Sequence, residues 1–191
     1  MPSSTIPIPI ASIFLLFLIS NVIVTSSSNP LIERACSSPR IGSKSKLCIK
    51  ILESEPNIIS AKNLYNLSLA IMQSGTPISR NTITYIENLL NGSKIEPDLK
   101  QALEDCSNAH YGIISSFRMA SNEVRGKEYE GAGYDLLIGS TDGFKNCSDD
   151  VKAGKIMDST ILKGNDVALI YAFSATRVVD ELDDESGDQI N

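Results

Sequence analysis

Four cysteines, Cys36, Cys48, Cys106 and Cys147, restrict the folding options of this chain more than any other feature. What they do depends on the compartment, and the N-terminus decides that. Residues 6–24 read IPIPIASIFLLFLISNVIV, and no charged residue precedes Glu33. The densest stretch, residues 10–19, has the length of a secretory signal core, and Thr25-Ser26-Ser27-Ser28 supplies the small residues that signal peptidase accepts. Cleavage is expected after Ser26 or Ser28, which makes residues 1–28 the signal peptide. A membrane anchor would need roughly 20 apolar residues. Pro7, Pro9, Ser12, Ser20 and Asn21 interrupt the run and no basic flank follows it. The mature chain is therefore expected in an oxidising space with no membrane attachment, where its thiols become disulfides.

Four cysteines pair in three ways. In an antiparallel helical hairpin, residues equidistant from the turn lie level on the two axes, where their Cβ atoms come within bridging distance. The midpoint of 36 and 48 is Gly42, inside Pro39-Arg40-Ile41-Gly42-Ser43, and that of 106 and 147 falls between Gly126 and Lys127. This spacing favours Cys36 with Cys48 and Cys106 with Cys147. Closing those loops stabilises the fold by about 3 and 4 kcal/mol in the loop-entropy model. A four-cysteine zinc site is the alternative, but the C-x-x-C spacings it uses are missing, so no metal site is expected.

Apolar periodicity is helical throughout, and no alternating run long enough for a sheet is present. Ala61, Leu64, Ser68 and Ile71 share one face, after which Gly75-Thr76-Pro77 reads as a C′ glycine, an N-cap and an N1 proline. One helix should end there and an antiparallel neighbour begin, carrying Ser79, Ile83, Ile86 and Leu90 and closing at Asn91-Gly92. From Pro97 the seam is cleaner: Leu99, Leu103, Cys106, His110, Ile113, Phe117 and Ala120 alternate by four and three. Tyr129, Gly133, Leu136 and Ser140 continue toward Cys147. The glycines at 131, 133, 139 and 143 each cost about 1 kcal/mol in a helix, so a bent or broken segment is expected. Asn165 reads as the cap of a last helix with Val167, Ile170, Tyr171, Ser174, Val178 and Leu182. The fold class is all-α: an up-and-down four-helix bundle preceded by a short disulfide-closed helical hairpin over residues 31–52.

Charge narrows the function. The net charge is −6 and the pI about 4.8, which opposes nucleic-acid binding. Residues 180–191 hold six acids and no base, so residues 33–179 are formally neutral. The bundle domain is expected over 29–182 and an acidic disordered tail over 183–191; the tail lacks the spaced acids of a calcium loop. The single histidine, His110, removes every scheme that needs two imidazoles. On the apolar seam it reads as a core residue whose protonation near pH 5 to 6 would loosen the bundle. Asp135 and Asp142 are the pair a carboxylate hydrolase would use, but a small packed bundle offers no cleft between them. Gly139-Ser140-Thr141-Asp142-Gly143 is no nucleophile elbow, since no strand precedes it, and reads as a helix break. No catalytic residue and no cofactor are expected. Asn66, Asn91 and Asn146 open N-x-[ST] sequons. Asn91, between helices, is the best glycosylation candidate, Asn66 the next, and Asn146 the poorest because Cys147 is its middle residue.

Together these features resemble the plant invertase and pectin methylesterase inhibitor family. The likeness spans residues 31–182: a signal peptide, L-I-x-x-x-C-x₁₁-C ending at Cys48, Cys106 on a long helix, Cys147, and a closing helix with Ala168, Leu169 and Ile170. Pollen-type members labelled as invertase inhibitors are the most alike. The resemblance implies a secreted protein of the apoplast or cell wall, or of the vacuole. Such a protein lays its surface, one to one, over the active-site cleft of a carbohydrate-active enzyme. Cell-wall invertase inhibitors of the family carry Pro-Lys-Phe where this chain has Lys127-Glu128-Tyr129, so these three become target-contact candidates. The aromatic is kept, the proline is lost and an acid replaces the lysine. An acid facing a carboxylate-lined site is repelled, which favours pectin methylesterase slightly over acid invertase. The competing expectation is a non-inhibitory helical module that binds a small apolar ligand or a protein, with a core cavity lined by the glycine-rich segment.

Overall fold

The computed structural model describes residues 29–92 and 94–187. The expected signal peptide lies outside them, as do Ser93 of the Asn91 sequon and residues 188–191 of the expected tail. The described residues form helices and turns, with no strand among them. In order these are α1 (Pro30–Ala35), a 3₁₀ turn (Gly42–Lys44), α2 (Ser45–Leu52), α3 (Pro56–Ile59), α4 (Leu64–Gly92), α5 (Pro97–Gly126), α6 (Tyr129–Ser140), α7 (Lys145–Lys152) and α8 (Ser159–Gly187).

Four of them make the bundle. Helices α4 and α6 each pack against both α5 and α8, and the chain runs up and down through α4, α5, α6 and α8. Leu67, Ile71, Ile86, Ile113, Phe117, Leu136, Ile161 and Tyr171 are buried in its core. The hairpin α1–α2 lies on α8 and is closed by Cys36–Cys48, with Cα atoms 5.7 Å apart. Cys106–Cys147 ties α7 to α5 across 4.5 Å. Both bridges are the pairs the spacing favours. The break expected in the glycine-rich segment is the turn between α6 and α7.

Five expectations need correction. Gly75-Thr76-Pro77 does not separate two helices, because α4 runs unbroken from Leu64 to Gly92 with Pro77 inside it. Gly75 serves packing: a Cβ there would lie 2.6 Å from Phe117 Cε2 and 2.9 Å from Tyr171 Cβ, so it admits α5 and α8 to the same level. Pro77 cannot donate to the carbonyl four residues back. Burial of the stripe Ile71, Met72, Gly75, Ser79, Ile83 and Ile86 offsets that loss. At the far end Asn91 and Gly92 are the last helical residues, and Gly92 is not left-handed; among described residues only Gly42 and Gly154 are glycines with positive φ.

Asn165 is not a cap. Helix α8 begins at Ser159, and Asp158 caps it: Oδ1 accepts the N–H groups of Thr160 at 2.8 Å and Ile161 at 3.1 Å. Residues 183–187, expected in a disordered tail, are helical, since α8 continues to Gly187. Leu182 is still buried, and the carboxylates of Glu181 and Glu185 reach Arg34 of α1 at 2.5 and 3.7 Å, which holds the helix in register. Leu99, the first position of the α5 seam, is 37% exposed, whereas Leu103 through Ala120 are buried as expected. It lies in the first turn of α5, on the wall of an open groove.

Candidate functional site

The turn between α5 and α6 is built by a Schellman motif. Glu128 N–H donates to Glu123 O at 2.8 Å and Lys127 N–H donates to Val124 O at 3.1 Å. This closure needs a left-handed residue at C′. Glycine is usual there, but Gly126 falls one position early and Lys127 takes the conformation, with φ +64°. A side chain in that region costs roughly 1 kcal/mol. The strain fixes where the following residues point. Lys127 and Glu128 are exposed, and Tyr129 opens α6 half-buried.

Tyr129 is a ridge between two grooves at this end of the bundle. One, of about 220 Å³, has Lys127, Leu182, Glu185 and Ser186 on its walls. The other, of about 230 Å³, lies between α6 and α8, where Gly133 leaves room beside Arg40, Tyr134, Asp180 and Asp183. A Cβ on Gly133 would sit 3.1 Å from Asp180 Oδ1, so this glycine sets the groove's depth. The end is acidic. Glu123, beneath the turn, has its carboxyl held above the usual range by burial, then by the charges of Asp135 and Glu128, and its Oε2 has no hydrogen-bond partner. Asp180 is likewise raised, first by burial; Arg177 and Arg40 oppose the shift, while Asp184 and Asp183 add to it. Glu181 is the anchor, bridging Arg34 of α1 at 2.5 Å and Arg177 at 2.6 Å.

The structure thus gathers Lys127, Glu128 and Tyr129, and adds Arg40, Tyr134, Asp180 and Asp183. Tyr134 is 64% exposed, a large aromatic that solvent alone would not favour. Its place five residues after Tyr129 was visible in the sequence. That Arg40, in the N-terminal hairpin, would face residue 134 had no local signal.

The remaining expected residues lie elsewhere. His110 is fully buried; its Nε2–H donates to Asn165 Oδ1 at 2.9 Å, its ring stands edge-on to Phe144, and burial lowers its pKa, with the Asn165 bond opposing. Asn66 is exposed in the first turn of α4 rather than mid-helix, Asn91 is exposed in its last turn, and Asn146 is exposed on α7. Asp135 stands beside Glu123, while Asp142 lies two helical turns on in the α6–α7 turn, so no single cleft holds both. Among the described residues, no cluster of three metal-ligating side chains occurs and no helix is long and apolar enough to cross a membrane. The apolar space lies away from the glycine-rich segment: a groove of about 490 Å³ at the opposite end, lined by Leu89, Ile95, Leu99, Leu103, Ile156 and Met157.

No protein-family model matches the chain. It is 30% identical over 158 residues to a Platanus orientalis protein named "Putative invertase inhibitor", covering 81% of this chain and 86% of that one. Two crystal structures of pectin methylesterase inhibitors from Arabidopsis, the first a mutant form A, superpose with TM-scores of 0.64 and 0.58 at 19% and 20% identity. They cover 72% of this chain and 89% and 88% of the inhibitors. At those identities the likeness is one of fold.

Proposed function

Because the chain belongs to the plant invertase and pectin methylesterase inhibitor family, we propose that it is a secreted protein that closes the active-site cleft of a cell-wall carbohydrate-active enzyme, one to one, and performs no chemistry itself. The observation that carries this reading is the Tyr129 ridge, held by the left-handed Lys127 on a bundle stapled by two disulfides. A rigid block loses little conformational entropy on docking, and a half-buried tyrosine with a fixed backbone is a low-cost anchor. Glu128, exposed beside Glu123 and Asp135, makes the turn negative. That charge opposes insertion into the sucrose site of an acid invertase, so pectin methylesterase is favoured narrowly, with acid invertase second.

One observation supports a second reading. The groove at the opposite end is walled by Leu89, Ile95 and Leu103 and suits a small apolar ligand. Titrating the oxidised mature chain against a pectin methylesterase and against cell-wall and vacuolar invertases separates the two. Loss of esterase activity at micromolar protein is the expected result. Loss of invertase activity that Tyr129→Ala abolishes would reverse the order of the targets. No loss in any assay would leave the apolar-ligand module.

A further inference from the structure

We propose that the groove between α6 and α8 receives a cationic side chain, a lysine or arginine standing on the rim of the target enzyme's cleft. The proposal deepens the inhibitor reading and rests on it for the identity of the partner. Four features of the groove carry it.

Charge comes first. The walls hold Glu130, Asp180 and Asp183 against one cation, Arg40, so the interior is negative and repels an anion such as a uronate. Arg177, the other nearby guanidinium, is already engaged by Glu181 at 2.6 Å. The second feature is aromatic. Tyr129 and Tyr134 flank the opening, Tyr134 mostly exposed, and the faces of two phenol rings attract an ammonium or guanidinium. Third, the floor is shaped for a stem. Gly133 removes the side chain that would fill the groove, and Leu137 offers an apolar wall along which a methylene chain can lie. The volume of about 230 Å³ admits one long side chain and excludes an oligosaccharide. Fourth, the groove shares Tyr129 with the candidate contact turn, so a partner seated on that turn covers it.

Two measurements test this on the full, oxidised mature chain. In the first, acetyl-tetraarginine amide is titrated and followed by NMR. Shifts should concentrate on residues 129–137 and 176–184, and the Asp180→Asn/Asp183→Asn variant should bind the peptide about tenfold more weakly. Equal affinity of variant and wild type, or shifts confined to other surfaces, would overturn the proposal. In the second, inhibition of the responsive enzyme is measured from 20 mM to about 500 mM salt, over which surface charge is progressively screened. Wild-type inhibition should weaken with salt, and the double variant should start about tenfold weaker with a flatter dependence. A variant as potent as wild type with the same salt dependence would also sink the proposal. If the wild type inhibits none of the enzymes while the peptide binds as described, the groove stands and the inhibitor reading falls.

Discussion

The imidazole of His110 on α5 and the carboxamide of Asn165 on α8 meet at 2.9 Å in the bundle centre, and the same carboxamide donates through Nδ2 to Cys147 Sγ at 3.3 Å. One asparagine thus links the buried histidine to the disulfide that joins α5 and α7. The ring's other nitrogen, Nδ1, is buried with no partner. Because Nε2–H is the donor to Asn165, Nδ1 carries the lone pair, and a proton there would be a buried charge facing no carboxylate.

The sign of the pH effect follows. The folded-state pKa of His110 lies below its ordinary value, so the unfolded chain takes up the proton more readily. Its contribution to stability is full above the unfolded value and declines as pH falls through the window between the two. One proton contributes at most about 1.4 kcal/mol per pH unit. His110→Gln, which keeps an N–H for Asn165, should be less sensitive to acid than wild type between pH 7 and 5 in thermal unfolding. Parallel curves for the two proteins would show that folding leaves the His110 pKa at its ordinary value and would overturn this reading.

Gly75 and Pro77 should respond in opposite directions. Gly75→Ala forces a methyl against Phe117 and Tyr171 and should destabilise by about 1–3 kcal/mol. Pro77→Ala restores a helical N–H in the middle of α4 and should stabilise, by about 1 kcal/mol after the entropy gained by the unfolded chain is subtracted. Urea unfolding measures both. Loss of stability in Pro77→Ala would mean that α4 is interrupted there.

Lys127→Gly should separate stability from inhibition. Glycine accepts φ +64° without steric cost, so the variant should gain about 1 kcal/mol. It also loses an exposed cation beside Tyr129, and inhibition should weaken. A calorimetric scan paired with an enzyme titration tests the split; a drop in melting temperature would contradict the strain.

Glu181 should govern attachment of the N-terminal hairpin. Its carboxylate is nearly buried between Arg34 and Arg177, whose own side chains are 47% and 38% exposed. With solvent screening of the arginines allowed for, Glu181→Gln should cost about 1–2 kcal/mol. Hydrogen exchange in Pro30–Ala35 should accelerate before the rest of the bundle responds. Uniform acceleration would place the clamp in the global core instead.

Much of the fold was legible because helical periodicity and cysteine spacing are local signals. The α5 seam from Leu103 to Ala120 is buried as the pattern requires, and both bridges join residues equidistant from a turn. The errors share one cause. Gly75, Pro77 and Asn165 carry punctuation chemistry in isolation, and each lies inside a long helix because its neighbours' burial outweighs local preference. At the candidate site, Lys127, Glu128 and Tyr129 were picked out through the family resemblance and not from any local pattern. Gly126 pointed to the wrong left-handed residue, because the Schellman hydrogen bonds, and not glycine content, fix the register.

The order of residues alone determined that this chain is helical and how its four thiols divide into two pairs. Each of those depends on spacing within one stretch of chain. Tertiary structure decided that His110 shares Asn165 with a disulfide sulfur, and that Arg40, Tyr129, Tyr134, Asp180 and Asp183 form one wall. Those relationships cross between helices far apart in sequence. They exist only once Gly75 and Gly133 let the helices approach, and no periodicity encodes which side chains then meet.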